Sequence, residues 1–159
     1  MTDHGIARGG ATVGLLDQVD PWHAHLVLNL RLWCTGHRGR QQVCAAYHAA
    51  LPGSVAQSAF EAFDLFLTTI LSAARRPLMH HDVNCRCLSA DERVVLTLVM
   101  DAAGGHLNDA ALIASMIARP ALAEHIAILA GQVGENALRF QAGVSAFEDC
   151  DARMPTRLN

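Results

Sequence analysis

Pro120–Phe147 reads PALAEHIAILAGQVGENALRFQAGVSAF, and within it Leu122, Ile126, Leu129, Val133, Ala137, Phe140, Val144 and Phe147 recur at spacings of three and four. That period belongs to a helix, and held over nearly four heptads it predicts one long helix. Proline suits the first helical position, and Gly131 and Gly134 either weaken the element or let a neighbour approach closely. Nowhere does the chain alternate with period two for long enough to predict a strand. The fold class expected is therefore all-α: a single-domain bundle of about six helices, the last of them long.

Working back towards the N-terminus, the punctuation is regular. A short fifth helix is capped by Asn108 and closed by the Arg119-Pro120 step. The fourth opens on Ser89-Ala90-Asp91-Glu92, a capping box with acid in its first turn, and stops at Gly104-Gly105. The third starts from Ser54, carries Val55, Ala59, Phe63, Phe66, Leu67 and Ile70 as a wide apolar stripe, and cannot pass Pro77. A second runs from about Arg38 to the Pro52-Gly53 pair, and a first from Asp20-Pro21 to Gly36. Leu26, Leu30, Phe63, Phe66, Ile70, Val95, Leu98, Ile126 and Leu129 are the expected core. Residues 1–19 lack a sustained period and read as a flexible N-terminal arm with one short turn around Gly14 to Gln18, 20–150 as the helical domain, and 151–159 as a flexible C-terminal tail.

Composition narrows the function classes. With 159 residues, 52% of them hydrophobic, the chain can bury one core without staples. A net charge of −3 offers no attraction to a phosphate backbone, so nucleic acid is not an expected partner. All twelve basic residues are arginine, which removes Schiff-base, pyridoxal-phosphate and P-loop lysine chemistry. Neither a secretory leader pattern nor an uninterrupted apolar span of membrane length is present, and a soluble cytoplasmic protein without membrane attachment is expected. Sparse charge and widespread apolar residues, above all in the last helix, leave a face for self-association, with a homodimer as the expected state.

In a reducing compartment the five cysteines are expected as thiols or metal ligands and not as disulfides. The segment Arg76–Leu88, RPLMHHDVNCRCL, has neither period and holds two histidines and two cysteines. Short connections make the first four helices alternate up and down, which puts this loop at the same end of the bundle as Trp33-Cys34-Thr35-Gly36-His37. Cysteine and imidazole are zinc's usual ligands. Cys85 and Cys87, one of His80 and His81, and one of Cys34 and His37 would make a four-ligand zinc site, and the clasp would order a loop with little else to order it.

The chain is thus expected to be a helical binding or regulatory protein with a structural or sensory zinc ion as cofactor. Two alternatives stay open. One is a thiol redox protein or enzyme using Cys85 or Cys87, with His80 or His81 as base; Cys87 precedes the cap of the fourth helix, where the helix dipole favours a thiolate. The other is a structural interaction module without metal, in which the cysteines only pack. Di-iron Glu-x-x-His pairs, Gly-x-Gly-x-x-Gly, Gly-x-Ser-x-Gly and His-Glu-x-x-His are all missing from the sequence. Arg119 and His125 lie roughly 120° apart on a helical cylinder and converge poorly as a nuclease pair. Cys44 and His48 border an apolar stripe, and boundary packing is their expected role.

Overall fold

Proline at N1 and helical spacing of Leu26, Leu30 and Trp33 produce α1, Pro21–Cys34. A computed structural model of the chain describes residues 8–152. Gly36 adopts φ +108°, a left-handed conformation that lets α2, His37–Ala50, turn straight back after two residues. The Pro52 break then admits α3, Gly53–Ala73. After the Arg76–Leu88 loop come α4, Ala90–Ala103, and α5, Leu107–Ile117, joined through Gly105 at φ +85°. A single 3-10 turn over Pro120–Leu122 leads into α6, Ala123–Ala152. Among the described residues the fold is an all-α bundle of six helices, the last the longest at 30 residues.

Helix α6 lies at the centre and packs against all five of the others. Ile126, Ala127, Ala130 and Val133 are sealed from solvent, and Phe140 packs against Tyr47 with ring centres 5.0 Å apart and planes tilted by 56°. From Ile126 to Phe140 the apolar period that predicted the helix is therefore occupied within the chain. All nine expected core residues are buried, Leu30 being the most exposed at 9%. Gly134 is a close-approach glycine, since a Cβ there would stand 2.5 Å from the Ala103 Cβ; Gly131 is not, its nearest neighbour being the Ala102 carbonyl at 3.5 Å.

The N-terminal segment departs from the expectation of a loose arm from 1 to 19. Residues 1–7 lie outside the description, but Thr12–Leu15 forms strand β1, antiparallel to β2, Cys87–Ser89, with Leu15 opposite Cys87 and Thr12 opposite Ser89. Leu16 N–H donates to the Arg86 carbonyl at 2.9 Å, and the Arg86 guanidinium meets the Asp17 carboxylate. Strands this short carry no readable alternation; the pairing follows from backbone groups that α4 and the loop leave open. At the other end α6 continues to Ala152, so residues 151 and 152 belong to the helix, and 153–159 lie outside the description. No helix among the described residues is long and apolar enough to cross a membrane.

Candidate functional site: a loop held from inside by Arg31

The last turn of α1 carries an arginine where the helix faces the core. Arg31 has no solvent exposure, and His23 and Val27 precede it on the same face at steps of four. Its Nε donates to Glu92 Oε1 at 2.7 Å and its Nη2 to Glu92 Oε2 at 2.9 Å, a two-point pair between α1 and the first turn of α4. The remaining N–H groups go to the loop backbone: Nη1 to the carbonyls of Asp82 at 3.1 Å and Cys85 at 2.6 Å, Nη2 to that of Cys87 at 2.6 Å. A guanidinium has five donors, and here all five are used.

Glu92 is as fully engaged. Besides Arg31 it accepts from the backbone N–H of His81 at 3.1 Å and of Ser89 at 2.8 Å, the second closing the capping box in which Ser89 Oγ accepts from Glu92 N–H at 3.1 Å. Its neighbour Asp91 accepts two bonds of 2.8 Å from Arg76 and one of 2.7 Å from Met79 N–H. Burial works to raise both carboxyls, but the bonds from Arg31, Ser89 and His81 outweigh it at Glu92, and those from Arg76 and Met79 outweigh it at Asp91. Both are held below the usual carboxylate range. Two consecutive carboxylates at a helix N-terminus, where the dipole favours negative charge, thus fasten the whole loop to α1 and α4.

The expected site residues fall into distinct places around this hub. Cys85 and Cys87 are half-buried, and what they offer Arg31 is their carbonyl oxygens; Cys87 also belongs to β2. Cys34 ends α1, half-buried, its thiol pushed up chiefly by burial. His80 is exposed, with Nδ1 3.1 Å from the His81 carbonyl, while the buried Nε2 of His81 has no partner. His37 is exposed at the start of α2. The two chain segments do meet at one end of the bundle, as the alternating topology requires, and Cys34 and His80 line one groove. Among the described residues, however, no group of three or more His, Cys, Asp or Glu is gathered about a point where a metal ion could sit. The side chain of Cys150 lies outside the description.

The ordering task that zinc was expected to perform is carried by Arg31, Glu92 and Asp91. Arg31 was not singled out from the sequence. Its signal was faint but present: a lone arginine on the core-facing stripe of an apolar helix needs a buried acid, and the acidic pair opening α4 supplies one.

Between the ends of α1 and α3 and the loop runs an open groove of about 580 Å³. Trp33, Leu71 and Leu78 form its apolar walls, Cys34 its floor, and Arg75, Arg76 and His80 its polar rim. Trp33 is fixed by its Nε1–H to Asp64 at 2.7 Å and by Arg40 lying 3.9 Å over its ring. Arg76 is matched by Asp91, whereas Arg75 donates Nε–H to the Ala118 carbonyl and meets no carboxylate among the described residues. The rim therefore carries positive charge above an apolar floor. The chain matches no protein-family model, no curated protein and no solved structure.

Proposed function

We propose that the chain is a binding or regulatory protein whose recognition element is the Arg76–Leu88 loop together with the groove it forms with α1 and α3. One observation carries this: Arg31 holds the loop from inside by its backbone, with three of its five donors on loop carbonyls, so the loop's outer side chains stand on a fixed frame. A frame ordered in advance lowers the ordering cost of binding. Turnover is less well served. Asp91 and Glu92, the carboxylates that hold the loop, are each locked into an arginine pair and held ionised, which makes them weak proton acceptors. Apolar walls beneath Arg75 and His80 suit a small ligand with an apolar body and one anionic group.

A second reading keeps zinc or thiol redox chemistry at Cys85 and Cys87 with His80, His81, Cys34 or His37; in its favour stands the shared groove of Cys34 and His80. Two measurements separate them. Metal analysis of the purified chain is expected to find well under one zinc per molecule. Decanoate is expected to shift Trp33 fluorescence saturably in a Trp22→Phe background, decanol much less, and Arg75→Ala should weaken decanoate about tenfold, the loss of one charge-assisted contact worth about 1.4 kcal/mol. One zinc per chain that disappears in Cys85→Ser would overturn the binding-groove reading in favour of the clasp, and so would a groove indifferent to decanoate.

A further inference from the structure

Helix α5 is built inside out. Its sequence, LNDAALIASMI, is apolar almost all round and carries Asp109 as its one charged residue. Its two fully buried residues are Ala110 and Ala114, with Ile113 and Ile117 partly buried against the core, while Leu112 and Met116 stand 65% and 75% exposed. Small residues at the two buried positions let α5 lie close on α4 and α6, and three of its large side chains, Leu107, Leu112 and Met116, face out. A helix apolar on all sides is ordinarily covered on all sides. Next to this face, across a shallow groove of about 670 Å³, Ile128 of α6 is also half exposed.

We propose that this face is the interface of a symmetric homodimer, α5 packing antiparallel on α5 of a second copy. The proposal does not rest on the Arg75 groove, although the two regions meet at the end of α5, where Arg75 donates to the carbonyls of Ile117 and Ala118. Three features favour another copy of the chain over a different partner. First, Leu107, Leu112 and Met116 of α5 and Ile128 of α6 stand 45, 65, 75 and 52% exposed, a cluster of large apolar side chains of the kind that forms the centre of a standard interface.

Second, the face is self-complementary. A two-fold axis crossing α5 at the level of Ala114 sets Leu112 against Met116 of the partner subunit and Asp109 against the partner's Arg119, each pair occurring twice as an isologous contact demands. Third, the charges fit that register. Asp109 lies on the same side of the helix as Leu112 and Met116, Arg119 follows just past the helix end, both are exposed, and neither joins an ion pair within the chain among the described residues. Self-association, expected from the sequence at the last helix, is here placed chiefly on α5, with Ile128 of α6 at its edge.

Sedimentation of the full-length chain tests the proposal. The wild type is expected to be a dimer at micromolar concentration. Leu112→Glu, at an exposed position, should sediment as a monomer with unchanged helical circular dichroism and melting. Asp109→Arg should weaken dimerisation at least about tenfold by setting like charges together, and Asp109→Arg with Arg119→Asp should restore it. A wild type that is monomeric up to about 1 mM, a weak limit even for transient association, overturns the proposal. So does a dimer that survives Leu112→Glu and ignores the charge exchange, because its interface would then lie on another face.

Discussion

Arg31 and Glu92 are 61 residues apart in the chain and are joined by two hydrogen bonds of 2.7 and 2.9 Å, with both side chains sealed from solvent. Desolvating such a pair is costly, and apolar residues of the same volume often serve stability as well or better. What apolar residues cannot do is accept two loop N–H groups and donate to three loop carbonyls. The pair is best understood as a device for seating the Arg76–Leu88 loop, through which α1, α4, β2 and, by way of β1, the N-terminal segment are held in one arrangement.

Replacing Arg31 by Met should therefore destabilise the chain by about 3 to 5 kcal/mol, since Glu92 is left buried without its counter-charge. The double replacement Arg31→Met with Glu92→Leu should recover part of this and no more, because the carbonyls of Asp82, Cys85 and Cys87 and the N–H groups of His81 and Ser89 stay unpaired. Urea unfolding of the two singles and the double gives the coupling energy directly. Full recovery in the double variant would show that the loop does not depend on the pair.

Stability should fall in two steps as the solution is acidified. His23 is buried with Nε2 unpaired, and burial holds it below the usual imidazole value although Asp20 pulls the other way; Arg93 adds to the lowering. Below about pH 6.5 the unfolded chain takes up a proton that the folded one resists, so folding weakens as pH falls through that value. Asp91 and Glu92, held low in the fold, contribute fully above about pH 5, and their contribution is lost as pH drops through and below about 4. Urea midpoints taken from pH 8 to 3 should show both steps, and His23→Leu should remove the upper one alone. An unchanged upper step in that variant would assign it to another histidine.

Two of the three glycines of α6, Gly131 and Gly134, should respond in opposite directions to alanine. Gly134→Ala places a methyl 2.5 Å from the Ala103 Cβ and 3.1 Å from the Val99 carbonyl, so α4 must shift, at a cost of about 1 to 3 kcal/mol. Gly131→Ala meets the Ala102 carbonyl at an ordinary 3.5 Å and should stabilise the helix by about 0.5 to 1 kcal/mol. Thermal melts of the two variants would show the contrast. Equal effects would mean that α4 and α6 are not in the contact described.

These outcomes follow how much the sequence could reveal. The Ser89 to Glu92 capping box, the breaks at Gly36, Pro52 and Gly104, and the buried stripe of Phe63, Phe66 and Ile70 are local signals, written within a few residues of where they act. Helix starts that depend on neighbours were less legible: α5 begins at Leu107 behind His106 and not at an Asn108 cap, and α3 at Gly53 ahead of Ser54. The β1 pairing and the reach of Arg31 across 61 positions are long-range, with no spacing rule to announce them. Of the candidate site, the meeting of Cys34 with the His80 loop followed from topology alone, whereas the identity of the residue that orders the loop did not.

Hydrogen exchange offers the sharpest check on what orders that loop. The amide N–H groups of Met79, His81 and Ser89 are bound to the Asp91 or Glu92 carboxylates, and they should exchange slowly although the segment is irregular. The Asn84 amide, bonded only to its neighbour Asp82 on the exposed side, should exchange fast. Protection in native proteins tracks the free energy of opening, and here each N–H is hydrogen-bonded to a carboxylate that an arginine holds in place. A chelator should leave the pattern untouched, since the hub is made of protein groups, while Arg31→Met should release His81 and Ser89 first and Met79, whose acceptor Asp91 keeps Arg76, less. If a chelator alone abolished protection at His81, a bound metal ion and not Arg31 would be what holds the loop.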